Sequence, residues 1–218
     1  MRFLTEEIIS GFAVTGAELG RLNLIAGAAG NMSIRLPDGS GIAITTRGSD
    51  LAVLRSIDIV AVGFDDSILE GGGSPSSELR MHRSIYDARP DIDAVVHTHS
   101  IYATVVAALH ERIPAFIDEL TFMLGGEIDT AEYAKPGSSE LGDNIVRALG
   151  DRAAALLANH GAIGIGSTLG EASKICDLVE RAAQMYVFAS ALGGPKLIPA
   201  EAVERQHAAY IKKHFGKI

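Results

Sequence analysis

The chain has 218 residues, of which 47% are hydrophobic and 21% are charged, and its formal net charge at pH 7 is -8. These fractions are those of an ordinary globular protein and argue against an intrinsically disordered chain. The negative charge argues against a nucleic-acid partner, which requires a dense basic surface, whereas a few amides and local cations suffice to bind a small anion.

The first quarter of the chain predicts a helix followed by a β-hairpin. Over 4–26, apolar residues recur mostly at helical spacing, and acidic residues near the start suit the positive end of a helix dipole. The segments 33–36 and 42–45 flank a turn at 38–39, and their pattern is typical of two antiparallel strands.

The middle of the chain predicts three more strands and two helices. A strand over 57–62 leads through a glycine-rich loop to 75–77, where a proline and two serines are typical of a helix start. This helix is expected to end before Pro90. The run DAVVHTHS, 93–100, indicates a buried strand that passes directly into a helix, and IPAFID, 113–118, indicates another strand.

The last third predicts three helices and a pair of short strands. Helices are expected over 137–150, 168–192 and 200–214, and two strands around a bend within 153–166. The early hairpin favours an α/β fold with a mixed or antiparallel sheet over a doubly wound parallel one. Because the chain shows no repeat or linker, we expect one domain over residues 1–218.

We expect a cytoplasmic protein without a membrane partner. The opening MRFLTEEIIS carries two glutamates where a signal peptide needs an apolar run, and no segment approaches the roughly 20 apolar residues that span a bilayer. The single cysteine, Cys176, excludes an intramolecular disulfide, and its place on the apolar face of a predicted helix indicates a buried thiol.

Two histidines at the end of the predicted strand 93–98 are candidate metal ligands. Side chains at positions i and i+2 of a strand project to the same face, so His97 and His99 lie about 7 Å apart at their Cα atoms. Buried imidazoles repel one another if protonated, and a metal ion that binds both keeps them neutral. Two unrelated histidines at a surface strand end are the alternative.

A third histidine has the same sequence context. His160 directly follows another apolar strand, and Gly161 beside it allows a close backbone approach. Three imidazoles with an exchangeable fourth position form the catalytic zinc arrangement. His110, His207 and His214 fall in polar or helical settings, which indicates structural or solvated side chains.

Glu78, at the start of the second predicted helix, is the candidate for the fourth ligand. A carboxylate that touches the metal and can leave it also serves as an acid or base. His82 lies one turn further on the same helix face and is the alternative ligand. For His82 we favour an indirect or core role.

Glycines, serines and one arginine before and after the predicted strands suit a phosphate. Free N–H groups at a helix start and side-chain donors nearby bind anions, although serines at such positions are often only helix caps. The candidates are Gly30, Asn31, Arg47, Gly48, Ser76 and Ser77.

Taken in order, the motifs AGNMS, ITTRG, PSSE, HTH and NHG resemble those of the class II aldolase and adducin-head family, with a layout similar to fuculose 1-phosphate aldolases. The resemblance runs from about residue 5 to residue 192 and more weakly through the C-terminal helix. It implies a three-layer α/β/α domain with a mainly antiparallel central sheet, and a C4 homotetramer with active sites at subunit interfaces.

Residue by residue, the resemblance implies a zinc site and a phosphate site. His97, His99 and His160 match the three zinc ligands, and Glu78 matches a glutamate that binds zinc in the empty enzyme and then transfers protons. The positions that hold the substrate phosphate match Gly30, Asn31, Gly48, Ser76 and Ser77. Tyr210 is similar in position to a tyrosine on the C-terminal tail that reaches the site.

Two positions depart from the family pattern. Arg47 stands where these aldolases have a threonine, and its guanidinium either strengthens phosphate binding or recognises a carboxylate. Asp118, with Glu119 beside it, stands where they have a tyrosine that donates a proton from a neighbouring subunit. The resemblance therefore leaves open the aldehyde part of the substrate, and with it the reaction.

The leading hypothesis is a metal-dependent aldolase that cleaves a ketose 1-phosphate, of the fuculose or the 5-deoxy- or methylthio-pentulose type, to dihydroxyacetone phosphate and an aldehyde. Zinc would polarise the substrate carbonyl, and Mn²⁺ or Co²⁺ suit the same donors. Glu78 would move protons, and Asp118 or Glu119, with Tyr210, would act at the C4 hydroxyl.

Two alternatives stay open. A decarboxylase, dehydratase or epimerase of a sugar acid phosphate would use the same scaffold, and Arg47 is the residue that favours decarboxylation. A non-catalytic adducin-like protein would keep only the fold. The complete set of metal ligands argues against the second alternative, because four buried polar groups in one cleft are costly without a function.

Overall fold

A computed structural model describes residues 3–215. Within this range eight strands form one sheet in the order β4-β3-β2-β1-β5-β8-β7-β6. The strands are β1 Asn31–Arg35, β2 Gly41–Thr45, β3 Ile59–Gly63, β4 Ile68–Glu70, β5 Ala94–Thr98, β6 Thr130–Ala131, β7 Ala154–Leu157 and β8 Gly161–Gly166. Only β6 and β7 pair in parallel; the other pairs are antiparallel. The expected mixed, mainly antiparallel sheet of an α/β fold is confirmed.

Three of the six helices in the described range begin at side-chain caps that the sequence provides. The six helices are α1 Glu6–Arg21, α2 Leu79–Ala88, α3 Ile101–Ala108, α4 Ser139–Leu149, α5 Leu169–Ala191 and α6 Ala200–Phe215. The side chains of Thr5, Ser138 and Thr168 each accept a hydrogen bond from the first turn of the helix that follows. These bonds satisfy N–H groups that have no partner within the helix. No helix between residues 3 and 215 has both the length and the hydrophobicity needed to cross a bilayer.

Hydrophobic side chains pack on both faces of the sheet. On β2, Ile42 and Ile44 pack in one cluster with Ile85 of α2, whereas Ala43 between them packs in a second cluster with Phe12 of α1. This alternation follows from the two-residue period of a strand. The thiol of Cys176 is buried in the second cluster, as expected, and burial raises its pKa to about 12.

The prediction of a strand over 113–118 is wrong. Only Ile113 pairs, in an isolated antiparallel bridge with Ile128, and the chain then enters a π-helical segment at Leu120–Leu124. Pro114 has no N–H group to continue a ladder. The short strands β4 and β6 were not predicted, because segments of three and two residues are too short to show a period.

Candidate metal centre and anion cleft

The candidate site lies at one end of the three central strands. Asn31 is paired with His97 between β1 and β5, and Thr98 is paired with Ala162 between β5 and β8. Because these neighbours run antiparallel, the starts of β1 and β8 adjoin the end of β5. Three segments that are far apart in the chain therefore meet at this edge of the sheet.

The imidazoles of His97, His99 and His160 converge at this edge. Their ring centroids are 4.7 to 4.8 Å apart, and the Nε2 atoms of His97 and His99 are separated by 2.9 Å. One ligand atom from each ring lies within 4.8 Å of the others. In a tetrahedral zinc site the ligand nitrogens lie about 3.3 Å apart, so this spacing lets the three rings share one cation.

His97 is held in the form that binds a metal. Its ring is fully buried, and Nδ1 donates a hydrogen bond of 3.0 Å to the carbonyl oxygen of Ala162, which leaves the lone pair on Nε2 facing the cluster. Burial lowers the pKa of His97 to about 3 and also lowers the pKa of His99. Both rings are therefore neutral near pH 7, as metal ligation requires.

One glycine and one asparagine explain how the backbone reaches this geometry. A Cβ atom at Gly161 would lie 2.2 Å from the carbonyl oxygen of Thr98, so only glycine allows the start of β8 to approach β5. Asn159 takes a left-handed conformation, with φ of 57°, in the turn that carries His160. The side-chain oxygen of Asn159 lies 2.7 Å from Nε2 of His110. His110 therefore supports this turn, which is a structural role.

Glu78 lies against the histidine cluster with one oxygen unpaired. Glu78 occupies the N-cap position of α2, without a capping hydrogen bond from its side chain, and is 6% exposed; Oε2 lies 3.3 Å from Nε2 of His97, and Oε1 lies 3.6 Å from Nε2 of His160. Within residues 3–215, Oε1 is buried without a hydrogen-bond partner. Burial alone would raise the pKa of this carboxyl, but the imidazoles and a hydrogen bond from Asn31 together hold it below its ordinary value. An ionised carboxylate with a free oxygen suits a cation.

His82 does not face the cluster. Its ring is fully buried, with Nδ1 2.6 Å from Oγ of Ser33 and Nε2 bonded to Oδ1 of Asn31. Burial lowers the pKa of His82 to about 4, so the ring is neutral. Because both nitrogens are engaged away from the other histidines, the indirect role favoured from the sequence fits its position.

A cleft of about 210 Å³ opens beside the histidines. All the residues that the sequence suggested for phosphate binding line it: Gly30, Asn31, Arg47, Gly48, Ser76 and Ser77. Glu78, His99 and His160 form its wall. An isolated bridge between Thr46 and Pro75 joins the two loops that carry most of these groups.

The cleft residues differ in what they offer an anion. Arg47 and Ser77 are exposed at the cleft, whereas Ser76 is buried and its Oγ accepts a hydrogen bond of 3.2 Å from the backbone N–H of Glu78. Ser76 thus bonds the backbone just before α2, but it is not the N-cap residue, which is Glu78. Gly30 has φ of 97°, and a Cβ atom there would lie 2.6 Å from the carbonyl oxygen of His97. No larger residue fits at that position.

Three predicted site residues lie away from both the histidine cluster and this cleft. Asp118 and Glu119 are exposed before the π-helical segment, and Oδ1 of Asp118 accepts a hydrogen bond of 3.0 Å from Gln206. Tyr210 lines a different cleft at the other end of β8. The predicted approach of Tyr210 to the site does not occur within the chain, because α6 folds back and packs this ring against Gly125.

Sequence reasoning missed two features of the site. Pro136, from the loop before α4, lines the cleft; the adjacent Gly137 has φ of 81°, and a Cβ atom there would lie 2.6 Å from the carbonyl oxygen of Ser77. The Pro-Gly pair signals a turn, but nothing in the sequence places that turn beside Ser77. The side chain of Asn31 bonds both Glu78 and His82, a link that joins separate elements.

Comparison with known proteins gives consistent matches. The family described as Class II Aldolase and Adducin N-terminal domain matches residues 11–187. A 5-methylthioribulose-1-phosphate/5-deoxyribulose-1-phosphate aldolase of Rhodospirillum rubrum is 40% identical over 184 residues, which cover 84% of this chain and 82% of that protein. A 5-deoxy-D-ribulose 1-phosphate aldolase of Bacillus thuringiensis is 35% identical over 199 residues, 91% of each chain. A solved structure of an L-fuculose 1-phosphate aldolase superposes with a TM-score of 0.89 at 34% identity, over 94% of this chain and 97% of that one.

Proposed function

The chain belongs to the class II aldolase and adducin N-terminal domain family, and from this premise we propose that it cleaves a ketose 1-phosphate to dihydroxyacetone phosphate and an aldehyde. The observation that carries the proposal is the convergence of His97, His99 and His160 with Glu78 beside a cleft lined by anion donors. Candidate substrates are fuculose 1-phosphate and 5-deoxy- or 5-methylthio-pentulose 1-phosphates, which the names of the relatives include.

The donor set fits a divalent cation. Three imidazoles converge, the most buried of them with its lone pair facing the cluster, and the carboxylate beside them has a buried oxygen without a partner among the described residues. His97, His99 and His160 would hold the ion with Glu78 as a fourth ligand, and we propose zinc, with Mn²⁺ or Co²⁺ as substitutes. When bound, the cation would supply Lewis-acid polarisation of a carbonyl and stabilise the negative charge that cleavage leaves.

The cleft residues would bind and orient the phosphate. The backbone N–H groups at the start of α2, the hydroxyl of Ser77 and the guanidinium of Arg47 are donors of the kind that phosphate oxygens accept. Because these groups lie on a wall shared with His99, a phosphate held there would direct the neighbouring carbonyl carbon toward the histidines. This arrangement favours a 1-phosphate over a phosphate at the far end of the sugar.

Glu78 would move the proton that the reaction requires. On cleavage the C4 hydroxyl loses its proton, the C3–C4 bond breaks, and its electron pair stays on the three-carbon fragment until a proton is returned to C3. Glu78 is held ionised by its neighbours, so its unpaired Oε1 would first take up a proton from solvent water and then deliver it to C3; in the reverse, aldol direction it would accept that proton from C3. The proton of the C4 hydroxyl would pass to a second group, for which the partner subunit's Asp118, Glu119 or Tyr210 remain the candidates.

An exposed apolar surface supports a homotetramer with sites at subunit interfaces. Ile101 and Val105 on α3 and Leu109 at its C-cap follow one another along one face and are 66%, 42% and 65% exposed. Phe188 on α5, also exposed, extends this surface, with its ring 5.9 Å from that of Tyr102. Since α3 begins two residues after His99, a neighbouring subunit on this face would adjoin the metal site.

We further propose that residues 1–218 form a single three-layer α/β/α domain. The two hydrophobic clusters on opposite faces of one sheet support this arrangement: α1 contributes buried residues to one cluster only, α2 and α4 to the other only, and α5 to both. A cytoplasmic location is proposed from the sequence alone.

A coupled assay for dihydroxyacetone phosphate tests the proposed function. The metal-loaded protein would be offered fuculose 1-phosphate and the 5-deoxy and 5-methylthio pentulose 1-phosphates, with chelator-treated protein as the control. We expect release of dihydroxyacetone phosphate from at least one sugar, lost on chelation and restored by Zn²⁺. If protein with one ion per chain released none from any five- or six-carbon ketose 1-phosphate, the proposal would be wrong.

A second candidate function has one observation in its favour. Arg47 is exposed at the cleft and could bind a substrate carboxylate as well as a phosphate. A decarboxylase, dehydratase or epimerase of a sugar acid phosphate would need that guanidinium for the reaction. Release of carbon dioxide from a sugar acid phosphate, measured in the same panel, would favour this alternative.

A further inference from the structure

A chain of buried hydrogen bonds runs from Glu78 into the core of the protein. Nδ2 of Asn31 lies 2.8 Å from Oε2 of Glu78, and its Oδ1 is bonded to Nε2 of His82. Nδ1 of His82 lies 2.6 Å from Oγ of Ser33, which lies 2.9 Å from the hydroxyl of Tyr86. Five side chains, two from β1, two from α2 and one from the N-cap position of α2, thus form one continuous path.

The two elements supply these groups at their natural spacing. Asn31 and Ser33 are at i and i+2 on β1, so they project from the same face of the strand. His82 and Tyr86 are at i and i+4 on α2, so they share one helix face. A strand face and a helix face that pack together therefore interlock polar groups in a core that is otherwise apolar.

The Glu78 carboxylate, at one end of this chain of hydrogen bonds, sets which atom donates in each bond. A carboxylate only accepts, so the Asn31 amide must present its NH₂ group to Glu78 and its oxygen to His82. Nε2 of His82 then carries the proton and Nδ1 accepts one from Ser33. Ser33 has no second proton, so Tyr86 donates to Ser33 at 2.9 Å rather than to the carbonyl oxygen of Asp93, which lies further away, at 3.4 Å. Each member fixes the orientation of the next.

Burial makes the opposite orientation costly. Asn31 is 5% exposed, Tyr86 is 1% exposed, and Ser33 and His82 are fully buried. Turning the Asn31 amide over would bring its oxygen to a carboxylate and its NH₂ group to an N–H, and burial makes both contacts costly. The amide is therefore held in one orientation.

We propose that Asn31 is a positioning residue for Glu78, and that His82, Ser33 and Tyr86 hold it in the only orientation that donates to this carboxylate. The proposal rests on the proposed function, in which Glu78 binds the metal and moves a proton. Asn31 anchors Oε2 and leaves Oε1 toward His160. Oδ1 and one of the two N–H groups of its amide are engaged in this chain of bonds, so the proposal assigns the side chain to Glu78 rather than to the substrate phosphate, the role that the family resemblance implies for Asn31.

The first test replaces Asn31 by aspartate, which keeps the shape but turns the donor into an acceptor. For Asn31→Asp we expect kcat to fall on the order of 10- to 100-fold, as for other groups that orient a metal ligand. The visible absorption of the Co²⁺-loaded protein should change as well. The competitive inhibition constant for inorganic phosphate should change less than about twofold, since on this proposal the side chain does not bind phosphate.

A matched control uses another buried asparagine. Asn144 on α4 is 4% exposed and donates a hydrogen bond of 3.1 Å to the carbonyl oxygen of Glu132, away from the cleft. Asn144→Asp should lower stability without altering the Co²⁺ absorption or kcat. A change in Asn31→Asp that is absent in Asn144→Asp would not be a general effect of a buried aspartate.

The second test separates positioning from packing at His82. A glutamine can place an N–H group where Nε2 of histidine stands, whereas a methionine of similar length cannot donate. We expect His82→Gln to keep at least tenfold more of kcat than His82→Met, with a Co²⁺ spectrum closer to that of the native protein. Equal losses of kcat in the two variants would show that His82 only fills space. The proposal that His82 fixes the orientation of the Asn31 amide would then be wrong.

The outcomes also separate this proposal from the proposed function. The Co²⁺ absorption needs no substrate, so it tests the positioning of Glu78 even if no sugar is cleaved. If Asn31→Asp kept the native spectrum and kcat but bound phosphate more weakly, Asn31 would be a phosphate ligand and the positioning proposal would be wrong, while the aldolase assignment would stand.

Discussion

The two ends of strand β8 both carry buried charged groups, but the two ends satisfy them differently. Near Gly166, the Arg89 guanidinium donates hydrogen bonds of 2.8 and 2.7 Å to the carboxylate of Asp91. It also donates to the carbonyl oxygens of Gly150 and Arg152. The charges of this pair therefore find their partners within the fold.

Near Gly161 the groups instead point at one another without complete pairing. Oε1 of Glu78 has no hydrogen-bond partner among the described residues, and Nε2 of His97 presents its lone pair to two further imidazoles. The fully paired end stabilises the fold, whereas the incompletely paired end suits a ligand. The size of a cleft does not identify the site, since the cleft at the Arg89 end is about 350 Å³ and the one beside Glu78 about 210 Å³.

Removing one imidazole should have the largest effect. In His97→Gln we expect the metal content to fall from about one ion per chain to near zero and kcat/KM to fall at least about 1000-fold, because the Lewis acid supplies several kcal/mol. Metal analysis and the dihydroxyacetone phosphate assay measure both. His207→Gln, at a histidine outside the cluster, should keep the ion. Full activity in metal-free His97→Gln would contradict the assignment of the Gly161 end of β8 as the metal site.

Removing the positive charge of Arg89, at the Gly166 end of β8, should lower the stability of the fold rather than metal binding. In Arg89→Met the buried carboxylate of Asp91 loses its partner, and we expect the free energy of unfolding to drop by about 3 to 5 kcal/mol in urea titrations. The metal content should be unchanged. Arg55→Met, which breaks an exposed pair with Asp58, should cost much less. A loss of metal without a loss of stability in Arg89→Met would show that this end also serves the site.

Acid should destabilise the histidine end of the metal-free protein. His82 titrates near pH 6.5 in the unfolded chain, but burial lowers its pKa to about 4 in the folded one. Below pH 6.5 the unfolded chain binds a proton that the folded chain does not, so stability falls as the pH drops toward 4, by up to about 3 kcal/mol. Urea titrations of His82→Gln should show a weaker pH dependence over this range. An identical dependence would contradict the assignment of His82 as a neutral ring.

The smallest expected effect is at the exposed rim of the cleft. If Arg47 only assists phosphate binding, Arg47→Thr should raise KM by up to about tenfold, the loss of part of one charged hydrogen bond, and leave kcat within about twofold. Steady-state kinetics and retained metal content check this. A loss of kcat greater than 100-fold in the metal-loaded variant would favour a reaction that needs the guanidinium for a carboxylate.

Local patterns predicted most of the elements because they depend on neighbouring residues. The helix starts at Thr5, Ser138 and Thr168 follow from side chains that bond the next turn, and the hairpin of β1 and β2 follows from its turn. The wrong prediction of a strand over 113–118 has the same origin, because it also rested on local composition. Ile113 has the composition of a strand, but whether a partner strand lies beside it is not a local property.

What the amino-acid sequence by itself determined was the set of groups at the ends of strands: two histidines on one strand face, a third before Gly161, and an acid at a helix start. Only the tertiary structure decided how they meet, because the order β1-β5-β8 pairs segments that are not neighbours in the chain. It also decided that Asn31 bonds Glu78 and that Tyr210 lies at the opposite end of β8. Periodicity orients a side chain relative to its own backbone, whereas its partner depends on which elements bury their apolar faces together.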